Sequence, residues 1–222
     1  MSLPGFCGTV PSHSMKVGLQ ITLDVKDRLC VVVGGGEEAT DKVNRLLDAQ
    51  AKVTVVSPTV TEGLQRLAAV TKIVYRNRRF LLSDVEEGVV LVVNTVRGDE
   101  TLGHGLYAAA RQKGFLLCST DRPEYSTCTM PALVAKGPLR IAISTSGVSP
   151  ALASRLRQDL EPLFDERFET FLRWLETYRM HLQATEPDIK KRHTLLRDTV
   201  EKVRLHAKIE FPDVEASRKE RD

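Results

Sequence analysis

The 222-residue sequence lacks a surplus of either charge: 32 Lys and Arg stand against 29 Asp and Glu, a net +3. That balance gives no reason to expect nucleic acid, while leaving room for a local basic pocket. No apolar run approaches the ~20 residues that cross a bilayer. The opening MSLPGFCGTVPSHSMK has neither the charged nor the apolar segment of a secretory signal. A cytoplasmic protein bound to neither nucleic acid nor membrane is expected. The four cysteines, Cys7, Cys30, Cys118 and Cys128, show no C-x-x-C spacing, and Cys30 and Cys118 fall inside strand-like runs. Buried, reduced thiols are the expectation rather than a metal or redox site. His181, His193 and His206 are too far apart for an i, i+4 ligand pair, so no metal is assigned.

The chain does have enough apolar residue, 42%, for a real core in one medium domain with an appendage. After a leader over 1–15 that is expected to be disordered, LQITLDV suggests an edge strand and Lys26-Asp27 a turn. Buried strands follow at LCVVV, KVTVV, VVLVVNT and FLLCSTD, with a shorter one at KIVYR. Between them lie helical patterns at 37–49, TEGLQRLAAV, RFLLSDVEEG and DETLGHGLYAAARQKG. Strands alternating with helices imply a parallel sheet covered on both faces. Beyond Asp121 the pattern changes to two strand-like runs around Lys-Gly-Pro, then to helices from Ser149 with a break at Glu186-Pro187-Asp188. The fold class is therefore α/β: a Rossmann-like domain over 16–118, a small β extension over 119–148 and a helical domain over 149–222. Leu152, Leu156, Leu160 and Leu163, followed by Phe164, Phe168, Phe171 and Trp174, read as a packing face, within the chain or on a partner subunit.

The first strand runs into Gly34-Gly35-Gly36-Glu37-Glu38-Ala39, a G-x-G-x-x-A turn between a strand and an amphipathic helix. Gly34 permits the tight turn, Gly36 lets backbone approach a pyrophosphate, and Ala39 lets helix and strand pack closely. The helix start offers its unpaired N–H groups to phosphate. What is missing is the acid that commonly ends the second strand and holds the ribose hydroxyls: Ser57-Pro58 stands there instead, with a single hydroxyl to offer. No arginine follows to take a 2′-phosphate, which favours NAD over NADP. Asn94-Thr95, ending the next strand, stands either under a nicotinamide ribose or as a capped strand end.

The segments IAISTSGVSPALASRLR (141–157) and STDRPEYSTCTMPAL (119–133), with VVVGGG, resemble the precorrin-2 dehydrogenase family, the dehydrogenase module of siroheme synthases. The likeness spans residues 17–160. It implies NAD-dependent oxidation of the tetrapyrrole precorrin-2 to sirohydrochlorin, a homodimer, and in some members insertion of Fe²⁺ or Co²⁺. It places Asp121 on the family's essential acid. Ser144, Thr145, Ser146, Gly147 and Ser149 fall on the loop that faces the tetrapyrrole. The chain departs from the family where Asp41 replaces a basic residue beside Lys42, where Thr95-Val96-Arg97 replaces T-D-D, and where Ser126-Thr127-Cys128 lacks an aromatic. These changes bear on the pocket's details.

The same residues also suit plainer structural roles. Asp121 before Arg122-Pro123 is also a turn-former, Ser149-Pro150 an N-cap with a first-turn proline, and His104 a surface histidine or a proton carrier. A non-catalytic NAD-sensing module and a bifunctional dehydrogenase-chelatase remain the alternatives. A short-chain alcohol dehydrogenase would need Tyr-x-x-x-Lys, and the residues four places after Tyr75, Tyr107, Tyr125 and Tyr178 are Arg79, Arg111, Thr129 and Leu182.

Overall fold

The structure, a computed structural model, describes residues 18–211. The expected leader and the charged end EASRKERD lie outside the described residues. Five strands, β1 (Leu29–Val33), β2 (Lys52–Val56), β3 (Val74–Arg76), β4 (Val89–Asn94) and β5 (Leu116–Ser119), form one sheet in the order β3-β2-β1-β4-β5. Every pairing is parallel. The connections are α1 (Glu37–Asp48), α2 (Glu62–Ala69) and α3 (Glu100–Lys113). Cys30, Val32, Val53, Val55 and Val93 bury one sheet face against Ala39, Val43 and Leu46 of α1 and Leu64 of α2. Val31, Val33, Val56, Val92 and Leu117 bury the other against Leu106 and Ala110 of α3. Because alternate residues of β1 enter opposite cores, its sequence reads as an unbroken apolar run.

Two expectations need correction in this half. LQITLDV forms no strand: Leu19 and Ile21 are 88% and 70% exposed, and the sheet's edges, β3 and β5, do not pair with it. Apolar alternation makes a strand only where a neighbouring edge takes up its backbone groups. The turn at Lys26-Asp27 is present, with Arg28 N–H donating to Val25 C=O at 2.9 Å. RFLLSDVEEG holds only one 3₁₀ turn, Leu82–Asp84. There the buried Asp84 carboxylate accepts from Arg76 at 2.8 Å, from Arg78 at 2.5 Å and from Leu81 N–H at 2.8 Å. Those bonds, Arg78 foremost, hold its pKa far below the usual carboxylate range.

Past β5, the strands β6 (Ala132–Lys136) and β7 (Leu139–Ile143) form a separate two-stranded sheet, followed by α4 (Pro150–Leu160), α5 (Glu166–Thr185) and α6 (Ile189–Val200). The helical run from Ser149 breaks at a 3₁₀ turn around Pro162, and Asp165 caps α5 by accepting from Phe168 N–H at 3.0 Å. The final helix stops at Val200, so the helical pattern of the sequence does not run on to the chain's end. On α5, Phe171, Trp174 and Tyr178 stack at ring-centroid spacings of 5.9 and 5.3 Å. Leu152, Leu163 and Trp174 of the expected packing face are 50%, 45% and 49% exposed. The chain divides into two compact units, one running through Leu133 and including Ile141–Gln158, the other Val134–Arg140 with the chain from Asp159 onward.

Candidate functional site

The strand order changes direction between β1 and β4, and in open parallel sheets the crevice beyond the strand ends at such a point receives ligands. The glycine turn lies there. Gly34 takes φ +107°, a conformation closed to most side chains, and its N–H donates to Val56 C=O at 3.0 Å. A Cβ on Gly34 would lie 2.3 Å from Thr95 Oγ1, and one on Gly35 would lie 2.0 Å from the Thr59 carbonyl oxygen. These two glycines are thus spent on packing the turn against the ends of β4 and β2. Gly36 differs. It is the N-cap of α1 with no side-chain cap, and a Cβ there would meet nothing within 4 Å. Ala39 is fully buried under the helix. Open space at Gly36 with an uncapped helix start is what a pyrophosphate requires, so these residues fit a dinucleotide.

The flanks of the turn come from distant positions. Ser57 is buried, its side chain lies beside Gly35, and its N–H donates to Arg76 C=O at 3.2 Å; Pro58 is exposed at the mouth of the β2–α2 loop. Asn94, also buried, accepts from Val96 N–H at 3.1 Å, while Thr95 Oγ1 donates to Val33 C=O at 2.9 Å. Both polar side chains therefore tie the end of β4 in place. Glu37 is exposed; Glu38 pairs with Arg97 at 3.2 Å.

Asp121 follows β5. Its Oδ2 accepts from Gly98 N–H at 2.9 Å, so the carboxylate is fastened to the loop after β4. Thr120 N–H donates to Asn94 C=O at 3.0 Å, Arg122 pairs with Glu100 at 2.6 Å, and Ser126 Oγ bonds both backbone groups of Ser119. Tyr125 packs on Gly103 of α3, where a Cβ would come within 2.9 Å of its ring, and meets exposed His104 edge-on at 6.1 Å. Gly34, Glu38 and Asp121 are thereby each in contact with the loop 95–98, through Thr95, Arg97 and Gly98.

The loop 144–149 is built from its own contacts. Ser144 Oγ accepts from Ser146 N–H at 3.2 Å, Thr145 Oγ1 from Ser149 N–H at 3.1 Å, and Ser149 Oγ from Leu152 N–H at 3.1 Å, making Ser149 the N-cap of α4. Ser146 and Gly147 take φ +52° and +86°. Because the three hydroxyls act as acceptors, each keeps its own proton for an outside acceptor such as a carboxylate. The Glu38–Arg97 pair and the Tyr125–Gly103 contact escaped the sequence reading; the exchange of T-D-D for Thr95-Val96-Arg97 was the one signal pointing to Arg97.

Among the described residues no group of three or more His, Cys, Asp or Glu is placed to hold a metal ion, and no helix is long and apolar enough to cross a membrane. Cys30, Cys118 and Cys128 are free thiols.

Fold and crevice together define a Rossmann-type domain whose glycine turn has room for a dinucleotide. Residues 21–132 match a family described as putative NAD(P)-binding, about half the chain, and residues 136–162 match the central region of sirohaem biosynthesis proteins. The chain belongs to that NAD(P)-binding family. It is 33% identical over 172 residues to a siroheme synthase of Thioalkalivibrio sulfidiphilus, covering 78% of this chain and 35% of that protein. A siroheme synthase of Ruthia magnifica is 35% identical over 143 residues, covering 64% and 30%. The chain thus spans about a third of the length of these relatives. Among solved structures, SirC, a precorrin-2 dehydrogenase, aligns with TM-score 0.67 and 26% identity over 82% of this chain and 89% of that one.

Proposed function

We propose that the chain is an NAD-dependent dehydrogenase that oxidises precorrin-2 to sirohydrochlorin. The observation that carries this reading is the likeness to SirC over most of both chains, joined to a crevice with an open glycine turn and a carboxylate beside it. Removing two electrons and two protons from a reduced tetrapyrrole releases a hydride and a proton. A nicotinamide cofactor, when bound, supplies the hydride acceptor. Gly36 and the first turn of α1 would hold its pyrophosphate, and Ser57 with Pro58 would border its adenosine ribose. Asn94 and Thr95 would stand under the nicotinamide half.

Asp121 is assigned the proton. Its fixed position on Gly98 N–H holds the carboxylate at the crevice, where an ionised Oδ1 is able to accept a proton as hydride leaves. Ser144, Thr145, Ser146, Gly147 and Ser149 are assigned to the substrate's carboxylates, which the free hydroxyl protons of Ser144, Thr145 and Ser149 suit. NAD is favoured over NADP because Ser57-Pro58-Thr59 carries no cation. Arg76, whose backbone adjoins Ser57, has its guanidinium engaged by Asp84 and Glu86.

A cytoplasmic homodimer completes the reading; the half-exposed Leu163 and Trp174 support the dimer, and light scattering at micromolar concentration tests that part of it. The function itself is tested by mixing purified chain, precorrin-2 and NAD or NADP. NADH appearing with the sirohydrochlorin spectrum is expected. An unchanged tetrapyrrole spectrum in the presence of bound NAD would leave the chain a sensing module.

A further inference from the structure

The first turn of α1 carries two carboxylates, Glu37 and Glu38. Acids there suit an empty helix start, whose dipole amounts to about half a positive charge. They do not suit an arriving pyrophosphate. Half a charge cannot offset two carboxylates and a doubly negative ligand, so a cation has to stand nearby. One does: Arg97 Nη2 lies 3.2 Å from Glu38 Oε2.

Arg97 stands on a loop whose backbone is fastened on three sides. Thr95 Oγ1 holds Val33 C=O, Asn94 Oδ1 holds Val96 N–H, and Asp121 Oδ2 holds Gly98 N–H. Only the arginine side chain is loose, 75% exposed. So exposed an ion pair contributes little to stability and is readily exchanged. A guanidinium also offers the planar donor pair that a phosphate takes best.

We infer that Arg97 binds the cofactor's pyrophosphate, exchanging Glu38 for it as the dinucleotide arrives. Glu38 is then a competitor that holds Arg97 over the turn until the ligand displaces it. The inference rests on the reading of the glycine turn as a nicotinamide dinucleotide site.

The two partners predict opposite signs. Arg97→Gln should weaken binding of NAD, and of ADP as a pyrophosphate probe without nicotinamide, about 10-fold or more, the scale of losing a charge-assisted hydrogen bond. Glu38→Gln should tighten ADP a few-fold by removing the competitor. The salt dependence of ADP binding should flatten in Arg97→Gln. Calorimetric titration over a series of salt concentrations reads all three, and thermal melts of both variants should stay at the wild-type value. Wild-type ADP affinity in Arg97→Gln, or a loss in Glu38→Gln matching that in Arg97→Gln, would overturn the inference and leave a surface ion pair. A wild-type chain that binds neither NAD nor ADP would overturn the cofactor reading beneath it.

Discussion

Alanine substituted in turn at Gly34, Gly35 and Gly36 should give different outcomes from three adjacent, chemically identical residues. At Gly34 the backbone sits at φ +107°, where a side chain costs about 1–3 kcal/mol of strain. The new Cβ, 2.3 Å from Thr95 Oγ1, also drives that hydroxyl off Val33 C=O, a further ~1 kcal/mol. A total of about 2–4 kcal/mol in a chain of this size lowers Tm by roughly 4–16 °C. At Gly35 the clash is with backbone, Thr59 C=O at 2.0 Å. Relief requires moving the loop whose Thr61 N–H donates to Gly35 C=O at 2.9 Å, so the loss should be at least as large. At Gly36, φ is −80° and nothing lies within 4 Å. The entropic gain of Ala over Gly and its poorer capping nearly cancel, leaving stability within about 1 kcal/mol. NAD binding, however, should fall steeply, because the methyl occupies the approach of the pyrophosphate, and Gly36→Asp should abolish it. Thermal melts with calorimetric NAD titration make the measurement. A Gly36→Ala variant that melts like Gly34→Ala, or that binds NAD as the wild type does, would refute the division of labour within the turn.

Asp84→Asn should cost about 3 kcal/mol at neutral pH, the low end for breaking a buried ion pair, because the arginines it leaves are themselves partly exposed. The Asp84 pKa is depressed in the folded chain, so its contribution is complete above the unfolded value near ~4 and is lost as pH falls toward the folded one. Denaturant unfolding from pH 7 to pH 3 should show the gap between variant and wild type narrowing, and a gap independent of pH would contradict the ion-pair account. Burial pushes the Cys30 and Cys128 thiols up to about 11 and about 12. Alkylation at pH 8, read peptide by peptide, should spare both in the folded chain and label both after unfolding; rapid labelling while folded would contradict the burial of Cys30 or the partial burial of Cys128.

Much of this was legible from local pattern. Leu29–Val33 reads as a strand because both its faces are buried, and the α3 boundaries follow from Asp99 as N-cap and Gly114 in the left-handed conformation after Lys113. The illegible parts depend on partners far along the chain. LQITLDV has a strand's alternation but no edge to join. Arg97 and Glu38 are 59 positions apart, and no periodicity pairs them. The sequence assigns Gly34 to a tight turn, and the structure adds what tightens it, the Thr95 hydroxyl. Asn94 and Thr95 were readable as ligand residues or as strand caps; their hydrogen bonds to Val96 and Val33 make them caps, with a ribose contact left to the proposal.

The central claim is that this crevice oxidises a tetrapyrrole with Asp121 as proton acceptor, and Asp121→Asn tests it most directly. Asparagine keeps the shape and an oxygen for Gly98 N–H, so the loop should stay fastened and the melt unchanged. It lacks the basicity to take a proton at neutral pH. Steady-state NADH formation from precorrin-2 should fall ~10²-fold or more, with NAD affinity near that of the wild type. Turnover close to wild type with an unchanged melt would contradict the claim and leave Asp121 as the residue that holds the β4 loop.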